Sequence, residues 1–322
     1  MSMFAGRPVK ISGTGVYIPE KIMTNADFEK IIDTTDSWIL DRTGIKKRHF
    51  AAEDEKCSDL AYKAALDALN DSGLSALDID MVIVSTNSPD SVFPAMSCKV
   101  QAKLGADNAG AYDVQAGCTG SLTAMHTAIA GISSGVWNNV LVVGAESFTK
   151  WLDWTDRGTC ILFGDGAGAC VLTASSDGEG RFVSGKLQAD GAKSDMITLE
   201  SEGEEYPHIF RMKGHDVFKF VSQNLPGFIK SFCDESEILP SEIDFWVLHQ
   251  ANTRIIDGIF KRLGIPSDRT LLNLENYGNT SSASMMIALY EALKGGRIKD
   301  KDKVAFVAFG AGMTLGALLY EA

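Results

Sequence analysis

No stretch of this 322-residue chain approaches the ~18 consecutive apolar residues that a membrane-spanning helix needs, so no such helix is expected. Cysteine is sparse and scattered. Cys57, Cys98, Cys118, Cys160, Cys170 and Cys233 form no Cys-x-x-Cys pair and have no histidine nearby at zinc spacing, which argues against a disulfide framework and a structural metal site. Positive charge is also short, with 30 Lys and Arg against 42 Asp and Glu and a formal charge of −12. That balance argues against non-specific nucleic-acid binding, which needs a broad basic surface. The opening Met-Ser-Met-Phe-Ala-Gly-Arg-Pro has no apolar signal core, and the expectation is a cytoplasmic protein with neither nucleic acid nor membrane as partner.

What is present suits a globular chain: 45% hydrophobic and 22% charged residues, with length enough for one large domain or two of ordinary size. Two basic clusters stand against the acidic background, Arg42 with Lys46, Lys47 and Arg48, and Arg254 with Lys261 and Arg262. Each reads as solvated surface, or as a local patch for an anionic ligand or an acidic partner. Trp38, close to Arg42, offers a stacking face beside a cation.

Apolar patterning predicts strands over residues 9–18, 80–86, 111–114, 139–146, 164–172, 243–249 and 270–274, and a strand, a glycine-rich turn and a last strand over 303–316. Helical spacing appears over 58–72, capped by Ser58, and over 96–104, 218–232, 252–263 and 283–294. The polar stretch 173–215, with Ser175, Asp177, Gly178, Glu179, Gly180 and the acidic run 200–205, reads as loop-rich and as the boundary between halves 1–174 and 175–322.

The segment Asp113-Val-Gln-Ala-Gly-Cys-Thr-Gly-Ser121 is a strand end, a cysteine and small residues opening a helix whose stripe is Leu122, Met125, Ile129 and Ile132. Cys118 therefore sits at a helix N-terminus, where free N–H groups and the helix dipole favour a thiolate. An unreactive buried cysteine is the alternative at this point. The halves also echo one another. Asp80-Met-Val-Ile-Val-Ser85 aligns with Asp244-Phe-Trp-Val-Leu-His249, and 139–144 with 303–308, both 164 residues apart. Gly117-Cys-Thr-Gly-Ser121 aligns with Gly278-Asn-Thr-Ser-Ser282, 161 apart, which pairs Cys118 with Asn279. The pattern reads as a duplicated α/β unit with mixed sheets. It places Cys118, His249 and Asn279 at strand ends and helix starts, where ligands gather.

Ala116-Gly-Cys-Thr-Gly120, His249-Gln-Ala-Asn252 and Gly278-Asn-Thr-Ser-Ser-Ala283 resemble the β-ketoacyl-acyl-carrier-protein synthase III family of the thiolase fold. Trp38-Ile-Leu-Asp-Arg-Thr-Gly-Ile45, Asp156-Arg-Gly-Thr159, Phe163-Gly-Asp-Gly-Ala-Gly168 and Phe309-Gly-Ala-Gly312 extend the resemblance over almost the whole chain. It implies a layered α/β fold of two pseudo-symmetric mixed-sheet halves and an acyltransferase that initiates fatty acid synthesis without a cofactor. Cys118 would be acylated by acyl-CoA, and malonyl-acyl-carrier-protein would then lose carbon dioxide and condense with it. By the same resemblance His249 and Asn279 would stabilise the decarboxylation step, and the N–H groups of Cys118 and Ala311 would form the oxyanion hole. Ala311 stands where many relatives have glycine, a tolerable departure for a backbone donor. Trp38 and Arg157 would flank the adenine of CoA, with Arg42 at its phosphates. Gln250, Ala251, Asn252, Thr253 and Arg254, with Lys219, Lys261 and Arg262, would meet the acidic carrier protein. Phe93 would cross a homodimer interface into the partner's acyl pocket.

Three other readings are open. Cys…His…Asn is also the order of papain-like thiol hydrolases, but Cys118 lacks the Cys-Gly-Ser-Cys-Trp context and the chain repeats internally. A related thiolase-fold condensing enzyme of secondary metabolism would pass its acyl group to a different acceptor. Hydroxymethylglutaryl-CoA synthases add an acidic residue, for which Asp90 is the one candidate in the loop 85–95. The third is a non-catalytic interaction protein of this fold, disfavoured by the presence of all three polar site residues.

Overall fold

The computed structural model describes residue 4 and residues 6–176, 179–201 and 208–322. In the first half β1 (Val9–Tyr17) leads through a hairpin-like pair, β2 (Lys21–Thr24) and β3 (Lys47–Phe50), with α1 (Asn25–Phe28) and α2 (Asp36–Thr43) between them. There follow α3 (Cys57–Ser72), β4 (Met81–Ser85), α4 (Met96–Leu104), β5 (Gly110–Val114), α5 (Gly120–Ser133), β6 (Asn139–Glu146) and β7 (Gly166–Ala174). The second half has β8 (Arg181–Ala189), β9 (Ile197–Ser201), β10 (His208–Met212), α6 (Gly214–Glu235), β11 (Phe245–Leu248) and α7 (Thr253–Leu263). It closes with α8 (Leu274–Tyr277), α9 (Ser284–Lys294), β12 (Lys303–Gly310) and β13 (Thr314–Glu321).

The strands form a five-stranded sheet, β1-β7-β6-β4-β5, and a four-stranded sheet, β8-β13-β12-β11. Both carry the same directions: the first two pairings are antiparallel and the third, β6 with β4 or β12 with β11, is parallel. Period-2 alternation decides which helix each strand residue meets. Val82, Val84, Leu141 and Val143 pack with α3 and α4, while Ile83, Val140 and Val142 face α5 and α9. Val247, Phe306 and Leu318 approach α5 and α9 from the other sheet, and Trp246, Val307 and Ala317 face α6 and α7. The layers are therefore helix, sheet, helix, sheet, helix. Strands covered on both faces explain the unbroken apolar runs of the sequence. A fourth apolar cluster, with Phe28, Ile39, Phe148, Phe163 and Phe210, joins the β2–β3 and β9–β10 pairs to the first half.

Four local expectations change. The stretch 173–215 is not mainly loop, because it holds β8, β9 and β10. β8 is an edge strand and the β9–β10 pair stands alone, so neither needs the continuous apolar run that marks a central strand. Asp177, Gly178 and residues 202–207, including most of the acidic run, lie outside the described residues. The strand expected at 270–274 shrinks to one bridge between Trp246 and Thr270; the Gln250 side chain captures the Asn273 and Leu274 N–H groups instead. Helix α3 begins at Cys57 rather than after Ser58, with Asp59 accepting from the Lys56 N–H at 2.9 Å.

Arg48 is the fourth change. Instead of lying on a solvated basic surface it is fully buried. Its Nη1 donates to Asn25 Oδ1 at 2.6 Å and its Nε to the Ile161 carbonyl at 2.9 Å, and the guanidinium lies 4.6 Å from the Phe28 ring centroid. Burial pulls its pKa down to about 9, so it stays a cation at neutral pH and ties β3 to the 160s turn. Arg48→Ala is expected to destabilise the protein by about 3 kcal/mol, because the buried acceptors lose their donor. Arg48→Lys should recover little of it, since one ammonium cannot reproduce the fork. Urea denaturation of the three proteins checks this, and full recovery by lysine would contradict it.

Candidate active site

Three chain junctions converge on one cavity of about 450 Å³ whose lining includes Cys118, His249, Asn279 and Ala311. Cys118 lies in the short 3₁₀ turn Gly117–Thr119 that feeds α5. The turn at the end of β12 presses against it: a Cβ on Gly310 would lie 2.5 Å from the Cys118 N, and one on Gly117 2.7 Å from the Ala311 N. Only glycine permits this approach of two backbones, with Gly117 also at φ +57°. It packs the backbone at Cys118 against the backbone at Ala311.

His249 follows β11 and donates its backbone N–H to the Val307 carbonyl at 2.9 Å. The ring is buried and meets Phe309 edge-on, with centroids 5.0 Å apart. Burial pushes its pKa down to about 3, so the imidazole is neutral at physiological pH and carries one N–H. Its Nδ1 has no hydrogen-bond partner among the described residues.

Asn279 is pinned through its backbone, its N–H donating to Leu162 O at 2.8 Å and its carbonyl accepting from Gly164 N at 3.1 Å. Its Oδ1 accepts from the Ser281 N–H at 2.8 Å. That contact fixes the amide orientation and leaves Nδ2 to donate elsewhere. The Cys118 sulfur lies 3.4 Å from Ser281 Oγ. Burial pushes the thiol up to about 12 and the charge of Glu146 adds to this, while the Ser281 contact pulls it down.

Trp38, Arg42 and Arg157 line an adjoining cavity of about 520 Å³, and both cavities include Met212, Val217, Ala251, Asn279 and Phe309 in their walls. The Arg42 and Arg157 guanidinium carbons lie 4.6 and 5.2 Å from the Trp38 ring centroid. Lys219, Arg254, Lys261 and Arg262 are exposed on α6 and α7. Phe93 is 88% exposed and stands beside neither cavity. A larger cleft of about 940 Å³ lies around Tyr17, Glu55 and Lys63, whose polar atoms are bonded to one another, Lys63 and Tyr17 both donating to Glu55 Oε1.

Three site expectations need correction. Gln250 is fully buried, with Nε2 donating to Leu271 O and Oε1 accepting from Asn273 and Leu274; it cannot face a partner, and it holds the loop instead. The symmetry mate of Cys118 is Ser282 rather than Asn279. The turns Gly117–Thr119 and Ser281–Ala283, and the helices after them, both stand 164 residues apart, and Gly117 and Ser281 share positive φ, +57° and +48°. Matching glycine to glycine by letter hides this. Asp90 accepts from the Ser58 N–H at 3.0 Å and pairs with Lys99 at 3.5 Å, away from the cavity lining.

Sequence reasoning missed Asn87, Glu146 and Ser281. Glu146 was visible as a lone acid closing an apolar strand, and Ser281 lay inside a quoted motif.

Comparison with known proteins agrees with this geometry. Residues 112–191 match the family model described as 3-oxoacyl-[acyl-carrier-protein (ACP)] synthase III, and residues 233–322 match that family's C-terminal model. The chain is 44% identical to a β-ketoacyl-[acyl-carrier-protein] synthase III of Desulfitobacterium hafniense, covering 97% of each chain. Among solved structures, a 3-oxoacyl-[acyl-carrier-protein] synthase III from Aquifex aeolicus superimposes with a TM-score of 0.93 at 40% identity, covering 98% of this chain and 100% of that one. A β-ketoacyl-[acyl carrier protein] synthase III from Thermus thermophilus gives 0.91 at 43% identity, covering 97% and 98%. The α/β fold is thiolase-like, as the resemblance implied.

The neutral burial of His249 has a pH signature. Its folded pKa lies below the unfolded value of about 6.5, so the unfolded chain binds the extra proton and stability falls as pH drops from about 6.5 towards 3. At pH 5 this amounts to about 2 kcal/mol. Denaturation at pH 7 and pH 5 should therefore show a smaller loss for His249→Asn than for the parent. An equal loss in both proteins would place the His249 titration elsewhere.

Proposed function

The chain belongs to the 3-oxoacyl-[acyl-carrier-protein] synthase III family, acyltransferases of the condensing type that start fatty acid synthesis, and on that premise we propose how its own residues divide the reaction. The Cys118 thiolate attacks the carbonyl carbon of an acyl-CoA thioester. The oxyanion that forms is met by the backbone N–H groups of Cys118 and Ala311, and the tetrahedral adduct collapses to acyl-Cys118 as CoA leaves with a proton. Malonyl-acyl-carrier-protein then enters. Its carboxylate departs as carbon dioxide, the electron pair moves into the thioester enolate, and His249 and Asn279 Nδ2 donate to the enolate oxygen. The carbanion attacks acyl-Cys118, the C–S bond breaks, and β-ketoacyl-carrier-protein is released with the thiolate restored. The first bond is made with the electron pair of the Cys118 sulfur and the second with the pair released from the C–CO₂ bond of the malonyl group, so this chemistry calls for no cofactor.

One observation carries the assignment: a cysteine, a neutral buried histidine and an asparagine amide with its oxygen already occupied share one cavity. A neutral imidazole and an outward Nδ2 are both donors, which is what a growing enolate charge needs.

Trp38 and Arg157 suit an adenine ring, with Arg42 at the phosphates. The 5.2 Å between the Arg157 guanidinium and the Trp38 ring is short of the ~7 Å that a ring stacked on both sides needs. Arg157 therefore swings aside to admit the base. Exposed Lys219, Arg254, Lys261 and Arg262 suit an acidic carrier protein; Ala251 lines both cavities, and Asn252 lines the outer one and caps α7. We further propose a homodimer, supported by β5 as an unpaired sheet edge and by Val92 and Phe93 at 87% and 88% exposure, with Phe93 entering the partner's acyl pocket. Halves 1–174 and 175–322 are the proposed units of the fold, and the cytoplasm is the proposed site of action.

Incubation with acetyl-CoA, digestion and mass spectrometry should find an acetyl adduct on the Cys118 peptide of the parent and none in Cys118→Ser; an unmodified parent with every acyl-CoA tried sinks the reading. His249→Ala and Asn279→Ala should still acylate but lose condensation about 100- to 1,000-fold, whereas blocked acylation with intact decarboxylation would reverse their roles. Arg254→Glu should raise the carrier-protein KM more at low salt than at high salt, since screening weakens exposed charge pairs. A salt-independent change would rule out electrostatic docking.

A further inference from the structure

The reaction as divided above leaves the fully buried acid Glu146 without a task. Glu146 closes β6, with no solvent exposure, behind the cavity that holds Cys118. Only donors surround its carboxyl. Oε1 accepts from Asn87 Nδ2 at 2.7 Å and from Ser282 Oγ at 2.8 Å. Oε2 accepts from Ser88 Oγ at 2.6 Å, from Asn87 N at 3.1 Å and from Thr86 Oγ1 at 3.4 Å.

Burial raises the Glu146 pKa while these donors pull it down; in its ionised form the carboxyl offers only acceptors, and the Asn87 side chain turns its NH₂ towards it. The second hydrogen of that NH₂ reaches Ser281 Oγ at 3.2 Å. Ser281 therefore accepts from Asn87 through one lone pair, and its own hydroxyl hydrogen is left to point elsewhere. The other polar atom recorded against that oxygen is the Cys118 sulfur, 3.4 Å away.

The backbone of Ser281 agrees with a dedicated role. It sits at φ +48°, a conformation that is strained for any residue with a Cβ. Its symmetry mate at that conformation is Gly117, for which it is free. A serine is kept where glycine would fold more easily, and its N–H is locked onto Asn279 Oδ1.

We propose that Glu146, Asn87 and Ser281 form a directional hydrogen-bond chain that aims the Ser281 hydroxyl, as a donor, at the sulfur of Cys118. Glu146 and Asn87 are positioning residues that act through Ser281, and Ser281 touches the reacting atom. A donor aimed at sulfur favours the thiolate over the thiol. The chain thereby offsets part of what burial and the nearby Glu146 charge cost the anion. The other titratable group facing the sulfur from the cavity wall is His249 on the β11 side; among the described residues that wall carries no Lys, Arg, Asp or Glu.

The inference rests on Cys118 as nucleophile, but its test reads the sulfur without any acyl substrate. Full-length protein is alkylated with iodoacetamide from pH 5 to pH 10, and the Cys118 peptide is followed by mass, which separates it from exposed Cys98. Ser281→Ala and Ser281→Gly should both move the rate–pH profile of Cys118 up by about one pH unit, read as alkylation about tenfold slower at any pH below the thiol's pKa, the worth of a hydrogen bond to a charged group. Ser281→Gly relieves the positive φ and serves as the folded control if the alanine variant fails to fold. Asn87→Ala should slow alkylation in the same way by less, because the hydroxyl remains but loses its aim.

A rate–pH profile unchanged in both Ser281 variants overturns the proposal. A shift in the Ser281 variants with none in Asn87→Ala overturns the chain as the source of the aim. Shifted profiles in a protein that no acyl-CoA acylates would leave this inference standing and remove the function proposed above.

Discussion

The buried carboxyl of Glu146 is the constraint on which the site depends. It ends a strand covered on both faces and is out of reach of bulk solvent, where an unpartnered charge would be costly. Three segments meet there: Thr86 to Ser88 after β4, Glu146 itself at the end of β6, and Ser282 in the turn before α9. Two come from the first half of the chain and one from the second. Satisfying one acid therefore fixes the loop after β4 against the turn that presents Asn279 and Ser281, and so sets the distance between the halves at the point of reaction.

The same burial governs the reactive groups. Burial holds His249 neutral and makes it a donor rather than an acid, and it raises the Cys118 thiol above its ordinary range. The cavity thus disfavours charge on both residues, and thiolate chemistry has to be sustained by directed donors: the helix start, the adjacent backbone N–H groups and the Ser281 hydroxyl. Glycine at 117 and 310 lets those backbones come within reach.

Outside the cavity, charge acts by position and not by count. Arg48 and Arg42 belong to one sequence cluster, yet Arg48 is sealed beneath Phe28 and holds the fold, while Arg42 sits over Trp38 in the open cavity. Gln250 and Arg254 belong to one motif and part in the same way, the first buried in the loop it organises and the second exposed at the start of α7. The acidic balance of the whole chain leaves the α6–α7 face as a local exception suited to an acidic partner.

Much of this was legible in the linear chain. Unbroken apolar runs announced strands buried on both faces, the repeat at 164 residues announced two like halves, and the motifs around Cys118, His249 and Asn279 named the groups that meet. These are local patterns or spacings, set by side-chain periodicity and by the few residues a strand-to-helix turn accepts. Edge strands β8 to β10 escaped because an edge needs only a half-apolar pattern. Arg48 and Gln250 escaped because burial is a property of what packs over a residue, not of its neighbours in the chain. The symmetry mate of Cys118 escaped because it is fixed by backbone conformation, φ +57° at Gly117 and +48° at Ser281, which letters do not record. The residue types of the reaction were thus set by the sequence alone. Their protonation, their hydrogen-bond direction and the partners that aim them were decided only when two distant halves closed around one cavity and buried these groups.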